Sequence, residues 1–516
     1  MQGWVLCFCW VVSALHWFLP TFFARVVFMG DSLQKTAIRG LAWSTIERFG
    51  QQFLHFSFVV VLARMLSPSE FGLIAMVSLF VAISQTFVDS GFGAALIQKR
   101  DANHLDECSV FYFNIAIGAL GTCVIFLASP WIARFYSQPQ LEPIAKWMSL
   151  LLVINSFGTI QNRILMKRVD FKSLFHVSAI ATPISGLLGV GLAYRGYGVW
   201  SLVVQQLVFN SLYVCLLWLI VGWRPGLKFS LSSLQSMFGF GSKLLATGML
   251  DTVFQNMYDL VIGKVFSAAE LGFYTRAKMT QYLLAQNLHA TVSRVTFPIF
   301  SSIQNDKLRL RDGVRKGLIY LGTVNFPLMI GLCVVSKSFV SVIFTDKWLP
   351  CVPYLQLLCV VGLMHPLSAI NLNVLSAQGR SDLTLRLEFI KKFVSVVLLV
   401  LGWPWGVMGI VIGQVVSSVI AYYINCFYTA RLIDYSVAKQ VKDLLPVLSI
   451  ALVMGVIVSM VGWIDFSSEL MRLAAQVLTG VVSYGILCRV HRIETYQAIE
   501  RIVVSKLGKF RRIPIA

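Results

Sequence analysis

The stretch Val110–Ile132, VFYFNIAIGALGTCVIFLASPWI, contains no charged residue. It is long enough to cross a hydrocarbon core about 30 Å thick as a helix of roughly 20 residues. Runs of the same kind recur along the chain, Val177–Tyr194 and Leu444–Ile464 among them. Working outward from these, fourteen spans are expected at 38–62, 71–96, 109–132, 144–166, 174–194, 199–221, 241–262, 272–300, 317–343, 352–377, 386–402, 407–429, 444–464 and 470–488. Composition supports this reading. Hydrophobic residues make up 57% of the 516, charged residues 13%, and mean hydropathy is +0.75. A soluble domain carries about 25% charged residues. The expected fold is an all-α polytopic membrane protein.

The net charge of +20 does not point to nucleic acid. A nucleic-acid protein gathers its basic residues on one soluble face. Here they lie in short loops. Alternate loops and the tail hold about thirty Lys and Arg, from Lys35 and Arg39 through Arg163, Lys167 and Arg168 to Arg511 and Arg512. The other loops hold about eight, such as Arg64, Arg134 and Lys264. Loops rich in Lys and Arg stay in the cytoplasm, so both ends of the fourteen-helix unit are expected there. The apolar segment Trp4–Phe23 lacks the preceding basic region of a signal peptide; it reads either as a fifteenth span or as lying before a start at Met29, the favoured reading. The ten cysteines show no C-x-x-C and read as small buried hydrophobes.

The chain repeats itself. At an offset of 200, Ser67-Pro-Ser-Glu-Phe-Gly72 falls on Ser267-Ala-Ala-Glu-Leu-Gly272. At 208, Tyr197-Gly-Val-Trp200 falls on Trp405-Gly-Val-Met408, and at 212, Arg168-Val-Asp170 falls on Arg380-Ser-Asp382. Six spans per copy make the repeat parallel, the arrangement in which transporter halves rock about a central site. The expected organisation is an N-terminal extension (1–35), a six-helix lobe (36–222), a cytoplasmic linker (223–240), a second six-helix lobe (241–430), two extra spans (431–490) and a basic tail (491–516). The two lobes would enclose a central cavity.

Charge at bilayer depth is costly and faces a cavity or a partner. On the first span, Arg48, Gln51, Gln52 and His55 fall on one helical face. Arg48, with Glu47, also suits headgroup depth, and both readings stay open. The second span carries Gln85 and Asp89. Asp89 either pairs with Arg48 or caps a bend at Ser90-Gly-Phe-Gly93. The seventh span carries Asp251, Gln255, Asn256 and Asp259, and the eighth carries Arg276, Lys278, His289 and Arg294. The substrate-binding candidates are Arg48, Gln52, His55, Asp89, Asn256 and Arg294. Arginine there suits a phosphate oxyanion, which its planar fork binds in bidentate fashion. Asp251 and Asp259 are the candidates for a coupling cation or proton. No catalytic or metal site is expected, because there is no Walker A sequence and the seven His lack metal spacing.

Several ordered stretches resemble the Wzx-type polysaccharide flippases of the multidrug/oligosaccharidyl-lipid/polysaccharide exporter superfamily, the colanic-acid and exopolysaccharide branch above all. They are Gly40–Gln52, Leu62-Ala-Arg-Met-Leu-Ser-Pro-Ser-Glu-Phe-Gly-Leu73, Asp89-Ser-Gly-Phe-Gly-Ala-Ala-Leu-Ile-Gln98, Tyr197–Ser201, Leu271-Gly-Phe-Tyr274, Arg294-Val-Thr-Phe-Pro298 and Phe300–Gln304. The resemblance covers about residues 36–440. It implies a bacterial inner-membrane transporter without cofactor that flips undecaprenyl-diphosphate-linked oligosaccharide to the periplasmic leaflet by alternating access. A polysaccharide polymerase and a chain-length regulator are the partners it implies. A multidrug/cation antiporter of the same superfamily is the alternative, and a membrane glycosyltransferase or polymerase a more distant one.

Overall fold

The computed structural model describes residues 50–89, 91–99, 103–168 and 170–491. Within them the chain is helical. Residues 50–65 form α1, followed by α2 (Pro68–Asp89), the short α3 (Phe92–Gln98), α4 (His104–Tyr136), α5 (Leu141–Lys167), α6 (Phe171–Tyr194) and α7 (Val199–Ile220). Then come α8 (Leu231–Val265), α9 (Ala268–Ser302), α10 (Lys307–Ile343), α11 (Val352–Ala377), α12 (Ser381–Gly402), α13 (Gly406–Ile433), α14 (Val437–Gly462) and α15 (Glu469–Val490). With α3 set aside, fourteen helices among the described residues fall on the fourteen expected ranges, of which 38–62 is described only from residue 50. Ten helical stretches among these residues are long and apolar enough to cross a membrane, one of them (Asp382–Ile433) containing both α12 and α13. The helices α1, α8 and α9 fall outside those ten, α8 and α9 carrying polar and charged residues along their length. Large exposed apolar side chains such as Leu127, Leu187, Leu219 and Val481 would be anomalous in water and are ordinary against lipid.

Two expected boundaries shift. The linker 223–240 is irregular only as far as Ser230, whose hydroxyl caps α8 by accepting from the Ser233 N–H at 3.3 Å. The irregular part is tied to the start of α4. Trp223 Nε1 donates to Glu107 Oε2 at 2.7 Å, and the Ser230 N–H donates to Ser109 Oγ at 2.9 Å. The expected span 71–96 is two helices. Gly91 has φ +66°, a left-handed value that a β-carbon disfavours, and a Cβ there would lie 2.2 Å from the Gly241 carbonyl oxygen.

By contacts, the described residues fall into two compact units divided between Thr275 and Arg276. The helix α8 packs against α2, α3 and α4 and so belongs to the first unit. The expected lobes instead part at the linker. The first unit holds an aromatic-rich core that includes Phe92, Phe111, Val177 and Leu217. The second holds a core running from Leu288 and Phe300 through Leu318, Ile370 and Tyr422 to Met454.

The repeated S-x-x-E-x-G motif has a physical reason. Ser67 and Glu70 form a capping pair at the start of α2, with the Ser67 N–H 2.6 Å and its hydroxyl 2.8 Å from Glu70 Oε2. Ser267 does the same for α9, accepting from the Glu270 N–H at 3.1 Å. The glycine closes the motif. A Cβ on Gly72 would lie 1.7 Å from the Ala268 carbonyl oxygen, and one on Gly272 would lie 2.0 Å from that of Pro68. Each copy thus rests its glycine on the first residue of the other copy's helix, in a reciprocal contact. Lipid tails are as apolar as leucine, so close backbone approach at small residues is a principal source of helix association.

Intrahelical prolines leave carbonyls four residues earlier without a donor, and three of these are met by side chains. Pro130 frees Phe126 O, which accepts from Ser129 Oγ at 2.7 Å. Pro327 frees Thr323 O, which accepts from Tyr484 Oη of α15 at 2.8 Å. Pro366 frees Gly362 O, which accepts from Asn325 Nδ2 at 3.1 Å.

Candidate functional site

The polar groups of the first unit converge where α2 ends against α5 and α8. Asp89 is the last residue of α2 and is half-buried. Gln85, one turn earlier, reaches it with Nε2 at 3.5 Å. Asn155 of α5 donates to Gln85 Oε1 at 3.1 Å, joining the two helices. Thr86 and Thr252 share a hydrogen bond at 3.0 Å, which joins α2 to α8.

The cation that acts on Asp89 is Arg163 of α5. Its side chain lies across the backbone of α3, where a Cβ on Gly93 would meet Arg163 Nε at 2.8 Å. The Gly91-Phe-Gly93 segment therefore serves twice. Gly91 makes the break and the approach to α8, and Gly93 leaves the space that the guanidinium fills. Nearby, Asn162 donates to Tyr213 Oη at 3.2 Å. A half-buried arginine with carboxamides and hydroxyls beside it can take a phosphate oxyanion and sugar hydroxyls.

The residues singled out in the sequence are placed as follows. Arg48 lies outside the described residues, and so does the side chain of Arg294. Gln52 is half-buried and His55 exposed on α1. Asn256 is half-buried and turns back on its own helix, donating to Thr252 O at 2.8 Å. Asp251 is exposed, whereas Asp259 is buried and acts on the Tyr136 phenol, so the two have different environments. Of the six substrate-binding candidates, Asp89 lies in this cluster, with Gln85 of its own helix and Arg163 of α5 acting on it. Arg276 is buried, its guanidinium 5.2 Å from the Phe344 ring centre and 5.1 Å from that of Trp348. It packs within the second unit as a cation on aromatic faces.

Arg163 and Asn155 were not among the candidates. Arg163 counts among the loop charges that set orientation, being four residues from Lys167. The signal was present in Asn155, Thr159, Asn162 and Arg163, whose i, i+4, i+7, i+8 spacing marks one helical face. The second unit carries an apolar groove of about 430 Å³ lined by Met329, Cys333, Cys359, Leu363, Leu448 and Leu452, from α10, α11 and α14.

Residues 61–353 match the model of a family described as polysaccharide biosynthesis protein. The chain is 29% identical over 404 residues to the lipopolysaccharide biosynthesis protein WzxC of Escherichia coli, covering 76% of this chain and 81% of that one. It is 25% identical over 335 residues to the succinoglycan biosynthesis transport protein ExoT of Rhizobium meliloti, covering 65% and 68%. Its fold matches a structure of the lipid II flippase MurJ in an inward closed conformation with a TM-score of 0.72 at 14% identity, over 87% of this chain and 98% of that one.

Proposed function

We propose that this chain, which belongs to the polysaccharide biosynthesis protein family, is a flippase carrying lipid-linked oligosaccharide units across the bacterial inner membrane for exopolysaccharide synthesis. It is a multi-pass membrane transporter and not an enzyme. The observation that carries the reading is the Asp89–Arg163 cluster held inside a helical transporter fold of this family. Hydrocarbon excludes both the hydroxyls of a sugar chain and the charge of a diphosphate, and each unsatisfied polar group costs several kcal/mol there, on the order of 4–8 for transfer to an alkane. A flippase must offer replacement partners along the way.

Arg163 offers the diphosphate a bidentate donor, and Gln85, Asn155 and Asn162 offer the sugars donors and acceptors. Arg48, Gln52, His55, Asn256 and Arg294 extend this set as substrate contacts, and Asp251 and Asp259 serve as coupling-ion groups. The apolar groove of the second unit offers a surface to a prenyl chain. The Lys and Arg bias supports a cytoplasmic location for both ends of the fourteen-helix unit, with substrate loaded there and released to the periplasm. The two six-helix copies act as the moving lobes. A polysaccharide polymerase and a chain-length regulator receive the product.

The test is the location of lipid-linked intermediates in a deletion strain complemented with wild type or with Arg163→Gln. The reading expects lipid-linked units to accumulate on the cytoplasmic face without the chain, and the variant to fail at normal membrane abundance. Units that reach the periplasmic face but stay unpolymerised would place the protein after flipping and defeat the reading.

A further inference from the structure

Two histidines meet inside the second unit. His289 of α9 and His365 of α11 have ring centres 4.8 Å apart with planes at 46°. His365 stands midway along the 26-residue α11, roughly 20 Å from either end at 1.5 Å per residue. Its side chain keeps an accessible face. It directly precedes Pro366, the kink whose freed carbonyl at Gly362 is held by Asn325. Imidazole is the side chain whose charge changes between about pH 5 and 8. An ionisable group at membrane depth marks a functional site by default.

Lys391 of α12 acts on His365 and is itself 2.5 Å from Glu388. On α10, the titratable groups flanking Asn325 are Tyr320 and Cys333. On α13 they are Tyr422 and Cys426, both hydrogen-bonded to Gln440 of α14. On α9 itself Arg276 and Lys278 lie about three turns before His289, and Arg294 lies five residues after it. Lys392 is the other cation at this level of α12. Two imidazoles this close repel each other when both are protonated, and Lys391 adds to that repulsion. The pair therefore takes a second proton with more difficulty than the first.

We propose that His289 and His365 form a single proton-binding site shared between α9 and α11, and that its occupancy drives a step of the transport cycle. The proton sits on one imidazole nitrogen and is stabilised by the neutral partner ring. The deprotonated pair lets the rings stack, and the kink at Pro366 is where α11 yields as they do. The transport role rests on the flippase reading; the proton site does not.

The experiment is a titration of the imidazole resonances of the full-length purified chain, with labelled histidine, from about pH 4.5 to 8.5. Signals are assigned by their loss in His289→Gln and His365→Gln. The wild-type pair should titrate in two steps separated by more than tenfold in proton concentration. Each variant should show one step, with the low-pH step gone. Two histidines that titrate independently, each unmoved by removing the other, overturn the site. Polysaccharide output is then measured against external pH at matched membrane abundance. Both variants should lose the wild-type pH profile; a coupled titration with an unchanged profile in both overturns the role in transport. Failure of the flippase reading is read separately, from the leaflet in which lipid-linked units accumulate.

Discussion

Gly72→Ala adds one methyl group at the tightest backbone approach of any glycine among the described residues. The new Cβ would stand 1.7 Å from the Ala268 carbonyl oxygen, about 1.7 Å short of ordinary contact at 3.4 Å. The obstacle is backbone, so no side-chain rotation relieves it, and the starts of α2 and α9 must separate. Overpacking of this kind costs typically about 1–3 kcal/mol, and a backbone obstacle belongs at the upper end. Alanine's better helix propensity returns roughly 1 kcal/mol. The expected net loss is about 2 kcal/mol, a fall in Tm of roughly 2 °C for a chain of 516 residues, read by thermal unfolding of the purified chain in detergent. Gly272→Ala should cost a similar amount, since its Cβ would lie 2.0 Å from the Pro68 oxygen. The double variant should cost less than the sum, because one separation relieves both contacts. Gly191→Ala is the control. No atom lies within 4 Å of its Cβ position, so it should gain about 0.5–1 kcal/mol. A Gly72→Ala protein that melts with the wild type, or strict additivity of the pair, refutes the reciprocal contact.

Arg163→Gln should lower polysaccharide output at least tenfold, corresponding to about 1.4 kcal/mol of lost binding, with Arg163→Lys retaining part of it because lysine keeps the charge and loses the fork. Matched immunoblots of the membrane fraction separate this from reduced abundance. Tyr484→Phe removes the donor to Thr323 O and should destabilise by about 1–2 kcal/mol. In a Pro327→Ala background, where the helix again supplies an N–H, that cost should largely vanish, and a double-mutant cycle of Tm values reads it. Asn325→Leu should cost a similar amount at Pro366, since the Asn325 amide also donates to Leu363 O at 3.1 Å.

The sequence by itself determined the architecture and the class of function. Helix number and approximate extent follow from apolar length, because hydrocarbon forces every backbone polar group to be satisfied within its own segment. The repeat was legible because its parts are local. A serine, a glutamate three residues on and a glycine two further make a capped helix start that can be packed closely, wherever the chain continues. Tertiary structure alone decided which residues share a site. The sequence put Arg163 beside Lys167 and made it one more loop charge; only the packing of α5 on α2 and α3 brings it over Gly93 and toward Asp89. It put His289 and His365 on different helices 76 residues apart, with no spacing rule to join them. It could not say which donor meets the carbonyl that Pro327 frees, since that donor, Tyr484, lies 157 residues further along the chain. Periodicity records which face of a helix is polar, but the partner of that face is fixed by packing between helices, where separation in sequence carries no distance.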